Sequence, residues 1–489
     1  GFSIFLIIKR WRRLPTTPQE VSAYSREFWI FMGAAVLCLM AFQVLVYTSM
    51  PVYNQLAKGL GFNLSLAPPT DTYDAYSFPQ LVLAIFLAIL SGTGQFFWWK
   101  KMDGKKLRSE LTLPFILSLL LSGLAITIGK ITNPAYTVLL IASTYSVVAN
   151  GKILFSILRS SVKLSGGSIT HIGVAFMLIG ILFSSGYSEI LSTNYTSMVW
   201  SKEFPDEVNQ NNLLLFVNEP RQMNEYAMIY KGIRQYTKEV GMVDKNELMP
   251  TVAPLKVTRK TKDKYDTLTL VNPENSYFEI EYRTQSGKKF TLFPRVQINE
   301  AMGMTVYSPD IHRTLHADMY THIRTFPKPT SEEDWGKPEE IKVPIRGQFF
   351  INDYVATLEK LVPIHHIEGT PLKENDVAVK AIINVQGEYK EYLASPIFII
   401  KNQEFVGRID DHVNDLAFRI SIQRILPQEN AVIFNLQTTQ KDWIILEAVK
   451  KPWINLLWLG TMLLTLGFSV AIYRRYSEFV KMRDKGVEV

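Results

Sequence analysis

Between Gly166 and Gly186 the chain reads GGSITHIGVAFMLIGILFSSG, an apolar run with a single ionisable side chain, His171. A helix crosses the hydrocarbon layer of a membrane with about 20 mostly apolar residues, so residues 168–186 are long enough to span it. An ionisable side chain inside such a span costs about 3 kcal/mol on insertion scales and is retained mainly where it has a function. His171, in the first turn of the span, is therefore a candidate functional residue.

Glycines at positions 166, 167, 173 and 180 flank this histidine. A neutral imidazole can ligate haem iron, and small neighbours would let a flat macrocycle approach the helix. The alternative interpretation is a histidine at the membrane interface that is half solvated or bonded to a neighbouring carbonyl. The physics of the residues alone leaves both interpretations open.

Five further stretches of the 489-residue chain are apolar enough to cross a membrane. They are residues 28–49, 79–99, 111–129, 134–150 and 453–473. Residues 2–8 resemble the end of another span, and residue 1 is not methionine. We therefore expect a fragment of a longer membrane protein, with a truncated first span before six full ones.

Basic residues alternate between the two sides of these spans. Loops 9–27, 100–110, 150–167 and the tail 474–489 hold five, five, three and five Lys or Arg, whereas loops 50–78 and 130–133 hold one each. Basic loops stay in the cytoplasm, so this asymmetry places residues 187–450 outside it. We expect a multi-pass protein of the bacterial inner membrane with residues 187–450 in the periplasm.

The large outer segment has the pattern of a β-rich domain. Turn-forming sequences such as Ser286-Gly287-Lys288 separate ten runs of alternating or β-branched residues, and one helix is predicted over residues 349–360. The predicted strands cover residues 213–217, 226–236, 255–257, 267–271, 277–283, 290–298, 377–385, 395–400, 418–425 and 432–438. They indicate one or two antiparallel barrels or sandwiches.

The predicted fold is thus a membrane α-helical bundle with a β-rich extracytoplasmic domain inserted before the last span. Residues 1–186 form the multi-span region, 187–450 the periplasmic domain, 451–476 the final span and 477–489 a short cytoplasmic tail.

Charge and cysteine content exclude several classes of protein. The formal charge of +7 divides into +9 for residues 1–186, −5 for 187–450 and +3 for the remainder, so no single basic face indicates nucleic-acid binding. A single cysteine, Cys38, cannot form a disulfide within the chain or a Cys-x-x-Cys metal site. No sequence motif for hydrolysis, phosphoryl transfer or hydride transfer is present.

The other six histidines fall in the outer segment. His312 and His316 have the spacing of metal ligands on a helix, with His322 nearby, but the surrounding sequence favours solvated loop residues. His365-His366 with Glu368, and His412, are likewise weak metal patterns. Whether any of these histidines binds a ligand is left open.

Taken in order along the chain, several motifs resemble the C-terminal part of the CcmF-type haem lyases, which belong to the cytochrome c assembly family of haem-handling membrane proteins. The resemblance covers most of 20–186 and 450–476, and Gln95 and Thr170 depart from it where the family has proline and alanine. The motifs are Tyr24-Ser25-Arg26-Glu27, Thr48-Ser49-Met50-Pro51, Ser91-Gly92-Thr93-Gly94 with Trp98-Trp99-Lys100, His171-Ile172-Gly173, residues 293–320, and residues 451–460 leading to Arg474-Arg475-Tyr476.

This resemblance implies a role in cytochrome c maturation. The family binds haem b in the membrane through two histidines, and His171 matches the second of them as an axial ligand of the iron. It attaches haem to the Cys-x-x-Cys-His thiols of apocytochrome c on the outer face, together with a haem chaperone and other membrane subunits. No Trp-Trp-Asp run of the family's haem-handling segment occurs here, so we expect the chain to be a subunit of a haem lyase that is inactive alone.

Two other classes of function compete with this one. A transporter would require carboxylates inside the spans or inverted repeats, and the spans hold Asp and Glu only at their edges. A membrane scaffold or sensor with an outer β ligand-binding domain is also compatible with the sequence.

Overall fold

Apolar stretches and polar caps together determine where the long helices begin. The Asp71 carboxylate accepts a hydrogen bond from the backbone N–H of Asp74, and the Asn133 amide oxygen accepts one from Ala135. Such caps satisfy N–H groups that have no partner within the helix.

The computed structural model describes residues 5, 9, 25–67, 69, 71–97, 104–196, 199–200, 202, 204–251, 253, 255–261, 264–299, 303–327, 335–364, 377–387, 390–401 and 404–484.

Eight α-helices lie within these residues. They are α1 (Arg26–Thr48), α2 (Met50–Gly59), α3 (Thr72–Gly94), α4 (Gly104–Gly129), α5 (Pro134–Leu158), α6 (Gly166–Gly186), α7 (Asp206–Asn211) and α8 (Ile454–Asp484).

Six of the helices are long and apolar enough to cross a membrane, namely α1, α3, α4, α5, α6 and α8. The predicted class of multi-span helical membrane protein is confirmed. Several spans extend beyond their predicted bounds: α3 begins before Pro79, at the Asp71 cap, α4 begins at Gly104, α5 continues to Leu158 and α8 continues to Asp484. The Arg474–Glu478 ion pair, four residues apart, supports that extension. Except for Phe5, the predicted truncated span lies outside the described residues.

The chain folds as two compact units. One comprises Gly1–Ser188, Thr314–Asp318 and Lys451–Val489 and contains the membrane helices, and the other comprises Glu189–Arg313 and Met319–Lys450.

The second unit consists mainly of β-strands, as predicted. They are β1 (Glu189–Ile190), β2 (Leu213–Phe216), β3 (Pro220–Met223), β4 (Tyr226–Thr237), β5 (Gly241–Asp244), β6 (Leu248–Pro250), β7 (Lys256–Thr261), β8 (Lys264–Thr269), β9 (Asn275–Thr284), β10 (Lys289–Leu292), β11 (Arg295–Asn299), β12 (Met304–Ser308), β13 (Asp310–Arg313), β14 (Ala317–Thr325), β15 (Glu339–Pro344), β16 (Gln348–Ile351), β17 (Tyr354–Ile364), β18 (Val377–Gln386), β19 (Glu391–Ala394), β20 (Ile397–Lys401), β21 (Glu404–Ile409), β22 (Asp411–Val413), β23 (Phe418–Leu426), β24 (Ala431–Thr438) and β25 (Trp443–Pro452).

These strands enclose two large hydrophobic cores, beside smaller buried clusters. The first lies between a sheet ordered β1-β25-β14-β13, to which β2 adds at β25, and a sheet ordered β12-β11-β9-β4-β3. The second lies between β15-β24-β23-β22 and β16-β17-β18-β20-β21. The strands of the second core fall in sequence between β14 and β25, which are neighbours in the first sheet. The β-region is thus one β-module inserted into another.

One local prediction for the outer segment is wrong. Residues 349–360, expected to be helical, form the hairpin of β16 and β17, in which Ile351 pairs with Tyr354. The two-residue turn between them is Asn352-Asp353, and Asn352 has a φ of 50°. Asparagine tolerates this left-handed conformation, which suits tight hairpin turns. The turn therefore overrides the helix-like apolar spacing of its neighbours.

Candidate functional site

A cavity of about 570 Å³ lies among the membrane helices, and His171 forms part of its wall. The lining comes from α1, α3, α6 and α8, and it is mostly apolar, with Trp29, Leu90, Val174 and Phe468 among its residues. Ligand cavities in proteins typically have volumes of about 300–1,000 Å³ and apolar walls with a few placed polar groups. This cavity has the size and character of a ligand site.

The imidazole of His171 is held at one of its two nitrogens. Nδ1 lies 2.9 Å from Oγ of Ser91 on α3. The hydroxyl of Ser146 on α5 donates to that oxygen at 3.1 Å. Because Nδ1 is engaged in this way, Nε2 is the ring nitrogen left for a ligand in the cavity.

Asn150, one turn further along α5, ties these groups to the backbone. Its Nδ2 donates to the carbonyl of Ser91 at 3.2 Å and to the carbonyl of Ser146 at 2.9 Å. Ser146 and Asn150 are fully buried, and Ser91 is nearly so. We call Ser91, Ser146, Asn150 and His171 the polar network.

Gly92 allows α3 and α5 to approach closely enough to form this network. A Cβ built at Gly92 would lie 2.7 Å from Cε1 of Tyr145 and 3.1 Å from Cα of Ser146. Small residues permit such close contact between membrane helices. The motif Ser91-Gly92 thus combines a hydrogen-bonding side chain with the space that brings its partners near.

The glycines around His171 have a different role from the one expected. Built Cβ atoms at Gly166 and Gly173 would lie 2.8 Å and 2.7 Å from the carbonyl oxygens of Gly467 and Gly460 on α8, and one at Gly180 would collide with Leu457. These three glycines, spaced seven residues apart, pack α6 against α8. Only Gly167 of the four lines the cavity.

Two arginines in the last third of α8, Arg474 and Arg475, are also among the residues that line the cavity. Arg474 Nε lies 2.7 Å from Oε1 of Glu478, and Arg475 Nη1 lies 3.6 Å from its Oε2. One carboxylate thus faces two guanidinium groups, which leaves positive charge for an anionic group of a ligand.

None of the other described histidines is among the residues that line this cavity. His312 stacks on Phe290 with ring centroids 3.8 Å apart, and His316 meets the Trp453 ring edge-on at 5.2 Å. His322 lies on β14, and His412 lies edge-on to a tryptophan. His365 and His366 are outside the described residues. In the part of the chain that the structure describes, no three His, Cys, Asp or Glu side chains form a metal-binding group.

Sequence reasoning found His171 but missed Ser146, Asn150 and the two arginines as its surroundings. Ser146 and Asn150 stand four residues apart within an apolar span, so they share one helix face. Such a pair of polar residues on one face of a span could have indicated this site, because polar side chains in membrane helices face protein partners.

Comparison with known proteins gives distant structural similarity alone. No protein-family profile and no curated protein matches the chain. Among solved structures, the chain is similar to one described as "Cytochrome c Heme Lyase CcmF", with a TM-score of 0.45 and 13% sequence identity. The match covers 93% of this chain and 46% of the other, so this chain spans less than half of that protein's length. A similarity of this size does not carry a function from one protein to the other.

Proposed function

We propose that this chain binds haem b in the cavity beside His171, with Nε2 of the imidazole as an axial ligand of the iron. The observation that carries the proposal is the position of His171, which lines an apolar cavity between membrane helices while Ser91 holds its other ring nitrogen. Histidines that bind metals are commonly oriented by a hydrogen bond to the nitrogen that does not bind.

The residues of the cavity wall fit a flat, largely apolar molecule with two carboxylates. A Cβ built at Gly33 on α1 would meet no atom within 4 Å, so the wall is open at that point. Arg474 and Arg475 would hold the carboxylates, and the apolar lining would exclude water. When bound, haem would supply a one-electron redox centre whose potential depends on its axial ligands and burial.

The resemblance in motif order supports a wider role in cytochrome c maturation. We propose that the protein is a subunit of a haem lyase, which assists attachment of haem to the Cys-x-x-Cys-His thiols of apocytochrome c. Its partners would be apocytochrome c, a haem chaperone and other membrane subunits of the maturation system. The family also implies a second axial histidine. Among the described residues that line the cavity, His171 is the only histidine.

Haem binding is tested by the visible spectrum of the protein purified in detergent, with a pyridine haemochrome assay. The parent protein should show the Soret and α bands of haem b. The His171→Ala variant loses the axial nitrogen, so we expect the amount of bound haem to fall by at least about tenfold. The control is His316→Ala. His316 packs edge-on against the Trp453 ring and does not line the cavity, so this variant should retain the parent spectrum. Unchanged bands in His171→Ala would refute the proposal.

The proposed orientation places the bacterial periplasm on the side of residues 187–450. Single cysteines at two exposed serines, Ser286 in the β-region and Ser160 after α5, test it once Cys38 is replaced by serine. In intact cells a membrane-impermeant maleimide should label the cysteine at 286 and leave the one at 160 unlabelled. The reverse pattern would overturn the orientation.

A further inference from the structure

We infer that Ser91 is a positioning residue for His171: its hydroxyl oxygen accepts a hydrogen bond from Nδ1–H, fixes the ring plane and raises the basicity of the imidazole less than a carboxylate would. The inference rests on the proposed function, because it concerns how this histidine serves as a haem ligand. It assigns a role to Ser91 and to the two residues that hold it, Ser146 and Asn150.

The first step of the argument is the tautomer. An imidazole that binds iron through Nε2 carries its proton on Nδ1, so Nδ1 becomes a hydrogen-bond donor. The structure gives that nitrogen one partner, Oγ of Ser91 at 2.9 Å. Ser91 must then act as acceptor toward His171.

The second step is the rigidity of that acceptor. The Ser91 hydroxyl oxygen accepts a hydrogen bond from the Ser146 hydroxyl, and the Ser91 backbone carbonyl accepts one from Nδ2 of Asn150. Both partners are on α5 and have no exposed surface. The position of Oγ is therefore fixed from a second helix.

The third step is the chemical nature of the acceptor. Histidine ligands are often bonded to carboxylates or backbone carbonyls, which raise the basicity of the imidazole. A neutral hydroxyl that already accepts one hydrogen bond does so to a smaller extent. The arrangement thus orients the ring while leaving the imidazole close to neutral, which favours the reduced iron more than a carboxylate partner would.

The experiment compares Ser91→Ala with Ser91→Thr in the protein purified with its haem. Ser91→Ala removes the acceptor, so the midpoint potential should shift to more positive values and haem should dissociate about tenfold faster. Threonine keeps the hydroxyl and should restore both quantities toward those of the parent. The g-values of the ferric haem should change in Ser91→Ala and not in Ser91→Thr.

Ser122→Ala provides a matched control within the same set of spans. Ser122 on α4 is also fully buried, and its hydroxyl has no hydrogen-bond partner among the described residues. Ser122→Ala removes the same hydroxyl group as Ser91→Ala does, but outside the polar network. It should therefore leave the midpoint potential and the haem dissociation rate unchanged. If Ser91→Ala does not fold, Ser91→Cys keeps the side-chain volume with a weak acceptor, and should shift the potential in the same direction.

The outcomes separate this inference from the proposed function. If His171→Ala loses haem but Ser91→Ala and Ser91→Cys have the parent potential and dissociation rate, Ser91 has no positioning role. If His171→Ala retains haem, the proposed function itself fails. A positive shift reversed by threonine supports the inference.

Discussion

The membrane helices and the β-region bury polar side chains in different ways. In the helices, Ser91, Ser146 and Asn150 bond to one another and to a histidine that lines a cavity. In the β-region, charged groups pair across neighbouring elements, as Lys441 does with Glu219, and neither of these residues lines the cavity beside His171.

This difference indicates where chemistry is to be expected. Hydrogen bonds between membrane helices contribute only about 0.6 kcal/mol each on average, and polar or ionisable side chains inside spans are retained mainly where they have a function. Ion pairs in the β-region have a structural role, as Lys441 bonds to Glu219 in the first β-module and to Tyr354 in the second. Substitutions in the two regions should therefore have different consequences, in haem binding for the helices and in stability alone for the β-region.

The largest effect is expected where α6 meets α8. Gly173→Leu would place a side chain against the backbone of Gly460 and Leu464, so the two helices must separate at a cost above about 3 kcal/mol. We expect loss of the monodisperse peak in detergent size-exclusion chromatography. Gly123→Leu on α4, where a built Cβ meets no atom within 4 Å, is the control and should preserve the peak. Equal behaviour of the two variants would contradict this packing.

A smaller effect is expected where α3 meets α5. Gly92→Ala would put a methyl group against the ring of Tyr145, which displaces the helix that carries Ser91 by a few tenths of an ångström. We expect a loss of about 1–3 kcal/mol and faster release of haem. Thermal unfolding and haem transfer to an acceptor protein measure both. The control is Gly151→Ala, in which the added methyl group meets no atom within 4 Å, and it should behave as the parent does. If haem release is unchanged in Gly92→Ala, Gly92 does not act on the polar network.

In the β-region, Lys441 connects the two modules. Its ammonium bonds to Glu219 at 2.6 Å and to the hydroxyl of Tyr354, whose ring it also faces. Lys441→Met should lower the free energy of unfolding by about 2 kcal/mol, because Glu219 loses a charged partner. Lys105→Met, outside the β-region, is a control for loss of one positive charge. Haem content should not change in either variant, and a loss of haem in Lys441→Met would contradict the contrast between the regions.

The contribution of Lys441 also depends on pH. Burial lowers the pKa of Lys441, but the hydrogen bonds to Glu219 and Tyr354 outweigh burial, so its pKa lies above the usual 10.5. A raised pKa in the folded state means that the stabilisation is fully present below pH 10.5 and is lost as pH rises through the folded pKa. The difference in melting temperature between parent and Lys441→Met should therefore be constant from pH 7 to 9 and shrink above pH 10.5.

The spans could be predicted from sequence because hydropathy is a local property. Each of the ten predicted strands also overlaps an observed one, although Pro294 divides residues 290–298 into β10 and β11. The hairpin at 349–360 was missed because its outcome depends on the turn at Asn352, whose left-handed conformation is not visible in apolar spacing. The insertion of one β-module into another depends on pairing of β14 with β25, which are over 100 residues apart, and no local pattern encodes it.

For the site, an ionisable residue in a span was enough to single out His171. Its partners could not be derived, because Ser91 is 80 residues away and Asn150 is 59 residues from Ser91. Contacts of this length arise from helix packing, in which Gly92 and the glycines facing α8 decide which sides meet. The glycines around His171 were visible in the sequence, but whether they face a ligand or another helix depends on that packing.

The smallest net effect is expected in the core of the first β-module. The hydroxyl of Tyr282 lies 2.9 Å from Oγ1 of Thr321, and both side chains are fully buried. Tyr282→Phe leaves the threonine hydroxyl without this partner and should cost about 1 kcal/mol, whereas the double variant Tyr282→Phe/Thr321→Val removes both polar groups and should be close to the parent. Chemical unfolding followed by tryptophan fluorescence measures the two values, with Tyr265→Phe, an exposed tyrosine, as control. If the double variant loses more unfolding free energy than Tyr282→Phe does, the hydrogen bond between Tyr282 and Thr321 is not the interaction that the single variant removes. Unchanged haem in all of these variants is required if polar groups of the β-region serve stability alone.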